Sequence, residues 1–409
     1  MKTDANPLAA PLTLPCGAVL KNRILKSAMS EIMGDRKHGP TPELFRLYER
    51  WSEGGTGLLV TGNVMVDRRA LGEPSNVVIE DDRHVEALAT WAESGKKDGT
   101  HIWVQLNHPG RQSPSFLSPE PVAPSAVPYT SDLKRAFNTP RALSEAEILE
   151  IIDRFAKAAG TVKRAGFTGV QIHGAHGYLV SQFLSPLYNH RSDRWGGDIS
   201  GRMRFVLEIY RAIRREVGPE FPVGIKINSS DFKGNGFTEE EALVVITALS
   251  EEGIDLVEIS GGNYEAPAMM GEAKGQKKAA PYFIEFADRA ARAVPTPIVL
   301  TGGFRTGEMM KAALSETDVS MVGLARPLVV DPKLPEKVLS GTPFTSSIKP
   351  LSTGIKLLDR ITMLEITWYE NQMRYLGMGR DPKPDENVYK TVWKILSGMG
   401  AVAFKRRRA

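Results

Sequence analysis

The chain has 409 residues, 42% of them hydrophobic and 24% charged, an ordinary globular composition able to bury one large core or two modest ones. A net charge of +4 is too mild for a nucleic-acid binder, which concentrates basic residues on one face. The single cysteine, Cys16, excludes an intrachain disulfide and a cysteine-ligated iron–sulfur cluster, and the absence of about 18 uninterrupted apolar residues argues against a membrane span.

The opening "MKTDANPLAAPLTLP" lacks the unbroken apolar core of a signal peptide, so a reducing, cytoplasmic setting is expected. Next, "PLTLPCGAVLKN" reads as a hairpin that could plug one mouth of a barrel. Eight short β-rich runs follow: "RILKSA" (23–28), "GLLVT" (57–61), "HIWVQL" (101–106), "TGVQI" (168–172), "PVGIKI" (222–227), "IDLVEI" (254–259), "PIVLT" (297–301) and "VSMVG" (319–323). They are nearly continuously apolar, as strands covered on both faces should be. Helical patterns separate them. "TPELFRLYERW" opens with Thr41 as cap and Pro42 at the first helical position. "SEAEILEIIDRFAKAA" carries a capping box, Ser144 with Glu147, and "TEEEALVVITAL" repeats it at Thr238 and Glu241. Strand–helix alternation repeated eight times predicts an α/β fold of the (β/α)8 TIM barrel type; an open doubly wound sheet is disfavoured because no G-x-G-x-x-G follows an early strand.

Two segments exceed a minimal barrel. Residues 107–142 hold seven prolines and follow the third strand, a length expected of a functional lid or a disordered insert. The barrel domain is placed at 1–340. A helical extension, 341–409, expected to pack on the barrel or on a neighbouring subunit, contains the predicted helix "LLDRITMLEITWYENQMRYL" and ends in the basic run Lys405 to Arg408, read as a solvated tail.

Barrel chemistry sits at the C-terminal ends of the strands. Strand by strand, those ends carry Ala28, Met29 and Ser30; Gly62 and Asn63; Gln105; His173, His176 and Tyr178; Lys226; Gly261 and Gly262; Gly302, Gly303 and Arg305; then Gly323 and Arg326. "TGGFRTGEMM" and "VGLARPL" set bare amides and arginines after strands seven and eight, where barrels often bind phosphate. Lys226 is a charge inside an apolar strand; it requires a carboxylate or a ligand bearing negative charge. "QIHGAHGYL" crowds three hydrogen-bond donors into one turn. H-x-x-H without a third ligand or an activating glutamate points away from a metal site, whereas two imidazoles can clamp one acceptor and leave the phenol to deliver a proton.

Taken together, these residues resemble the old yellow enzyme family of FMN-dependent NAD(P)H oxidoreductases. "IHGAHGYLVSQFLSPLYNHRSDRWGG" is similar to the family's most specific block, and "VQLNHPGRQ", "TGGFR" and "VGLARPLVVDP" match its other landmarks in order, over roughly residues 10–335. The resemblance implies non-covalent FMN across the barrel mouth, with NADPH or NADH as reductant entering the substrate's own pocket. Ala28, Met29 and Ser30 would contact the isoalloxazine, Gly62 and Gln105 its pyrimidine portion, and Lys226 the reduced anionic flavin. Gly302, Gly303, Gly323 and Arg326 would hold the phosphate. His173, also bordering the cofactor, and His176 would clamp the carbonyl of an α,β-unsaturated ketone or aldehyde, and Tyr178 would protonate the α-carbon.

The sequence also departs from the pattern. Lys226 stands where many members carry arginine. Ser30 replaces a frequent threonine or cysteine, and Ile32 sits near a substrate-contacting tyrosine of some members. The cysteine cluster and later domains of the dienoyl-CoA reductase relatives are lacking. Desaturation, nitro-compound reduction or demethylation would use the same barrel. A non-redox lyase or aldolase acting on a phosphorylated metabolite, with Lys226 as Schiff-base nucleophile, would leave Gln105 and the His–His–Tyr turn unexplained. The C-terminal segment could cap a neighbouring subunit's pocket, which would make the protein a homo-oligomer.

Overall fold

The computed structural model describes residues 6–130, 132–262, 281–355, 358–359 and 363–394. Among them, eight parallel strands close into a barrel: β1 (Ile24–Lys26), β2 (Leu58–Met65), β3 (His101–Asn107), β4 (Gly169–Gly174), β5 (Val223–Asn228), β6 (Leu256–Ser260), β7 (Ile298–Thr301) and β8 (Met321–Leu324). Closure is made where β1 pairs with both β8 (Val322↔Ile24) and β2 (Leu25↔Leu58). The main crossover helices are α1 (Pro42–Glu53), α2 (Val85–Gly95), α3 (Glu145–Arg164), α4 (Arg204–Val217), α5 (Glu239–Glu251), α6 (Ile284–Ala293) and α7 (Gly307–Glu316). The strands bury both faces because helices cover the outside and side chains fill the inside. Among the described residues no helix is long and apolar enough to cross a membrane.

The interior has two chemically distinct ends. At the N-terminal end Leu25, Leu58, Val60, Trp103, Leu256, Val299 and Met321 pack with Leu12, Leu14 and Leu20. The last three belong to the antiparallel hairpin Leu12–Thr13/Val19–Leu20, which plugs that mouth as its sequence suggested. Trp103 fixes two glycines here. A Cβ on Gly169 would stand 2.5 Å from its Nε1, and one on Gly224 2.8 Å from its Cζ3. Both strands therefore come close enough for the indole to fill the layer.

Helix starts follow the capping rules with two corrections. Ser144 and Glu147 form the complete reciprocal box. Thr238 accepts from the Glu241 amide, but the Glu241 carboxylate is drawn away to Arg202, so only half of the second box exists. Thr41 occupies the cap position yet donates to the Met33 carbonyl, where it anchors the preceding loop. The proline-rich segment after β3 is ordered where described: Val122–Ala123 pairs with Arg141–Ala142, and the Arg111 guanidinium sits 3.8 Å from the Tyr129 ring centre and 4.1 Å from that of Tyr188. Of the expected C-terminal helix, Leu364–Gly377 forms α9 (following the short α8, Arg326–Val330) and residues 358 and 359 are also helical; residues 357 and 360–362 of its expected start lie outside the described residues. It packs on α1, with Trp368, Tyr369, Met373 and Leu376 joining the main core.

Candidate active site

Register brings the charged interior residues together. Lys226 on β5 lies beside His173 on β4 and Glu258 on β6, while Gln105 on β3 faces Gln171 on β4. Neighbours in register point to the same side of a sheet, so all five enter the barrel above its apolar base. Glu258 is the hub of this layer. Its Oε1 accepts from Ser27 at 2.5 Å and Thr301 at 2.8 Å and lies 3.1 Å from Lys226 Nζ; its Oε2 accepts from Gln171 at 2.8 Å. Burial alone would push this carboxyl up, but Lys226 and the three donors outweigh it and hold it below the usual carboxylate value. Lys226 also donates to Ser27 at 2.7 Å. Gln105 donates to Gln171 at 2.8 Å, and among the described residues its buried Oε1 has no partner.

The histidine turn begins where β4 ends. His176 has φ +61°, an unusual conformation for a non-glycine residue, and is held from both sides: its N–H donates to Asn228 Oδ1 at 3.2 Å and its carbonyl accepts from Gln112 at 3.1 Å. The His173 ring centre lies 5.1 Å from that of His176 and 4.7 Å from that of Tyr178. His173 Nδ1 accepts the Ala175 N–H at 3.4 Å, which places the ring proton on Nε2, and among the described residues that nitrogen has no partner. His176 Nε2 pairs with Ser260 Oγ at 2.7 Å, either atom donating. Burial first, then the proximity of a second titrating imidazole, His176, and of the Lys226 ammonium, depress His173 far below the usual imidazole value; burial and Lys226 do the same to His176. Both rings are therefore neutral near pH 7. Tyr178 accepts from Asn63 at 3.3 Å, so Asn63, a residue noted at the end of strand two but given no role, contacts the phenol.

Two confluent hollows cover this layer. One, of about 230 Å³, is lined by Ala28, Met29, Ser30, Gln105 and the His–His–Tyr group, with Ile366, Tyr369 and Met373 of α9 on its wall. The other, of about 170 Å³, is lined by Gly302, Gly303, Arg305, Gly323 and Arg326; Ala28, His176, Lys226 and Arg326 border both. Gly302 and Gly303 have φ of +94° and +84°, a backbone that a side chain would strain. Gly323 serves packing: a Cβ there would fall on Thr301 Oγ1. Arg326 is ion-paired through Nη1 with Glu365 of α9, and among the described residues its other N–H groups have no partner, which leaves them to an anion.

Two expected residues lie elsewhere. Gly62 and Ile32 border a separate narrow gap beside Met33, Leu44 and Trp91. The Gly62 N–H donates to Glu31 at 2.9 Å, and a Cβ there would strike Glu31 and the Met29 carbonyl, so this glycine lets the β1 loop lie against β2. That loop carries a second buried network. Tyr48 donates to Glu31, Lys26 donates to Tyr48 at 3.2 Å, and Ser30 donates to Glu73. Burial lowers Lys26 to about 8 despite Glu31 and raises Glu31 and Glu73. None of Glu258, Glu31, Glu73 or Lys26 was anticipated. A charge within the apolar runs "IDLVEI" and "RILKSA" was the available signal for Glu258 and Lys26.

The residues present fit a flavin mononucleotide. Gln105 Oε1 is an orphaned acceptor suited to a heterocyclic N–H, Lys226 is a buried cation, and the Cβ-free, arginine-flanked end suits a phosphate. Comparison with known proteins agrees. Residues 7–344 match the model of the NADH:flavin oxidoreductase / NADH oxidase family. The chain is 39% identical over 356 residues to the NADH-dependent flavin oxidoreductase iliE of Hypocrea jecorina, covering 80% of this chain and 88% of that one. Among solved structures it is similar to an old yellow enzyme homologue from Zymomonas mobilis (TM-score 0.72, 27% identity, 83% and 94% covered). It also resembles a 2-naphthoyl-CoA reductase (TM-score 0.75, 26% identity, 82% covered), of which it spans about half, 52%. With its barrel, its ordered landmark motifs and these matches, the chain belongs to the old yellow enzyme family of NADH:flavin oxidoreductases, enzymes that work with FMN and a nicotinamide reductant.

Proposed function

We propose that this oxidoreductase reduces the activated C=C bond of α,β-unsaturated carbonyl compounds. The observation that carries this reading is the turn holding His173, His176 and Tyr178 with ring centres about 5 Å apart at the edge of the larger hollow. FMN, when bound, supplies the hydride that adds to the substrate's β-carbon. His173 Nε2–H and an N–H of His176 would bind the carbonyl oxygen. Neutral imidazoles donate without first surrendering a proton, and the negative charge developing on that oxygen strengthens both bonds. Tyr178, its oxygen accepting from Asn63, would deliver the proton to the α-carbon. Gln105 would bind the flavin's pyrimidine edge, Lys226 the charge near its N1 and C2 carbonyl, and Ala28, Met29 and Ser30 one face or edge of the ring. Gly302, Gly303, Gly323 and Arg326 would take the phosphate.

The test separates the two half-reactions. Tyr178→Phe is expected to slow enone-dependent reoxidation by about 10²-fold or more, a typical contribution of a positioned acid, while NADH-dependent flavin bleaching stays within about threefold. His176→Asn should raise KM for the enone and lower kcat. Equal loss in both half-reactions for Tyr178→Phe would contradict its assignment as the proton donor.

A further inference from the structure

The wall of the larger hollow opposite the barrel is supplied by α9. Ile366, Tyr369 and Met373 recur at spacings of three and four, which sets them on one helical face. Two of these side chains are apolar. The third, Tyr369, is 3% exposed and edge-on to Trp368 at 4.9 Å between ring centres. Its ring is buried but its hydroxyl is not sealed off, and among the described residues that hydroxyl makes no hydrogen bond. A phenol on a pocket wall with its ring packed and its hydroxyl accessible presents a polar handle to whatever fills the pocket. The neighbouring polar groups are already engaged: Glu365 with Arg326, Ser30 with Glu73, Lys226 with Glu258. Burial first, and Glu365 as well, raise the phenol to about 12 against the opposing charges of Arg326 and Arg305, so near neutral pH it is a donor.

We propose that Tyr369 is a specificity-determining substrate-binding residue, its hydroxyl donating to a second acceptor on an enone whose body is apolar. The substrate class is thus an enone with an ester, ketone or ether oxygen set off from the reacting alkene by hydrocarbon that lies against Ile366 and Met373. This assignment rests on the enone reading above, deepening it.

The experiment uses the FMN-loaded full chain and a short series of methyl-ketone enones ending in a methyl ester, each paired with the alkyl enone of equal length. One ester length is expected to have a KM about tenfold below its alkyl partner, the worth of one well-made hydrogen bond. Tyr369→Phe should erase that preference and leave alkyl-enone kinetics, FMN affinity and the thermal midpoint unchanged; Tyr369→Gln, which keeps a donor, should retain part of it. No preference at any length, or a preference that survives in Tyr369→Phe, overturns the proposal. So does weakened FMN binding in that variant, which would assign the hydroxyl to the cofactor. If no enone is turned over, the enone reading fails by itself, and the same ligands titrated against the oxidised flavin spectrum still read the Tyr369 contact.

Discussion

Glu258 illustrates how much of the site depends on single buried charges. One carboxylate gathers Ser27, Gln171, Lys226 and Thr301 from four other barrel segments, all of them buried. Removing one member of a buried pair strands the other, so Glu258→Gln should cost about 3 kcal/mol in urea unfolding at pH 7. Because the folded pKa of Glu258 is lowered, its contribution is fully present above the unfolded value of 4.5 and is lost as pH falls below it through the folded value. The deficit of the variant should therefore shrink in acid; a deficit independent of pH would contradict the ion-pair account. Lys226 was legible because a cation interrupts an apolar strand. Its partner was equally visible in "IDLVEI", but that two strands share a register is a property of the closed sheet and not of either stretch. The placement of Ile32 was hidden for the converse reason. Its loop turns toward β2 and Gly62 after Ser30, at a positive φ of +50° for Ile32 that its side chain does not announce.

At the scale of elements, α9 takes one of the two placements expected of the C-terminal extension, packing on the barrel of its own chain. Its helical pattern was evident, but it docks on α1, more than three hundred residues earlier, and no local signal encodes such a contact. Docking brings Glu370 toward Glu73 and Glu31. Burial, followed by Glu73, raises its carboxyl to about 8, with Arg374 opposing and Glu31 adding. A carboxyl raised from 4.5 destabilises the fold where the unfolded chain is ionised, most above pH 8 and progressively less as pH falls toward 4.5. Glu370→Gln should accordingly be more stable than the parent by roughly 2 kcal/mol at pH 8, after discount for partial exposure, and indistinguishable near pH 4.5. A variant less stable at pH 8 would show that the carboxylate is instead paired. The hairpin at the opposite mouth was legible because its apolar residues alternate and its ends lie next to the first strand in sequence.

Across the whole molecule the barrel divides its labour along its axis. The hairpin and Trp103 layer fill one end with hydrocarbon, and the Glu258 layer begins where that filling stops. Strand-and-helix alternation made this architecture readable, since eight apolar runs of similar length leave few topologies open. The rim was readable residue by residue because polar and glycine positions followed each strand; the ties that orient them, Asn63 to Tyr178 and Glu365 to Arg326, join segments distant in sequence. A cofactor held only by the folded barrel should also stabilise it by mass action, about 2.7 kcal/mol at a hundredfold excess over Kd. Arg326→Ala should lose most of that increment at fixed FMN, read as a smaller rise in Tm, while a rise equal to the parent's would remove Arg326 from the phosphate site.

The most direct test of the central claim is an anaerobic visible spectrum of the purified protein, taken alone, after NADH or NADPH, and again after 2-cyclohexenone. The account predicts a flavin band that bleaches with the nicotinamide and returns with the enone. A band that bleaches and stays bleached across simple enones would contradict the proposed substrate class, and a protein that cannot be loaded with FMN would contradict the site itself.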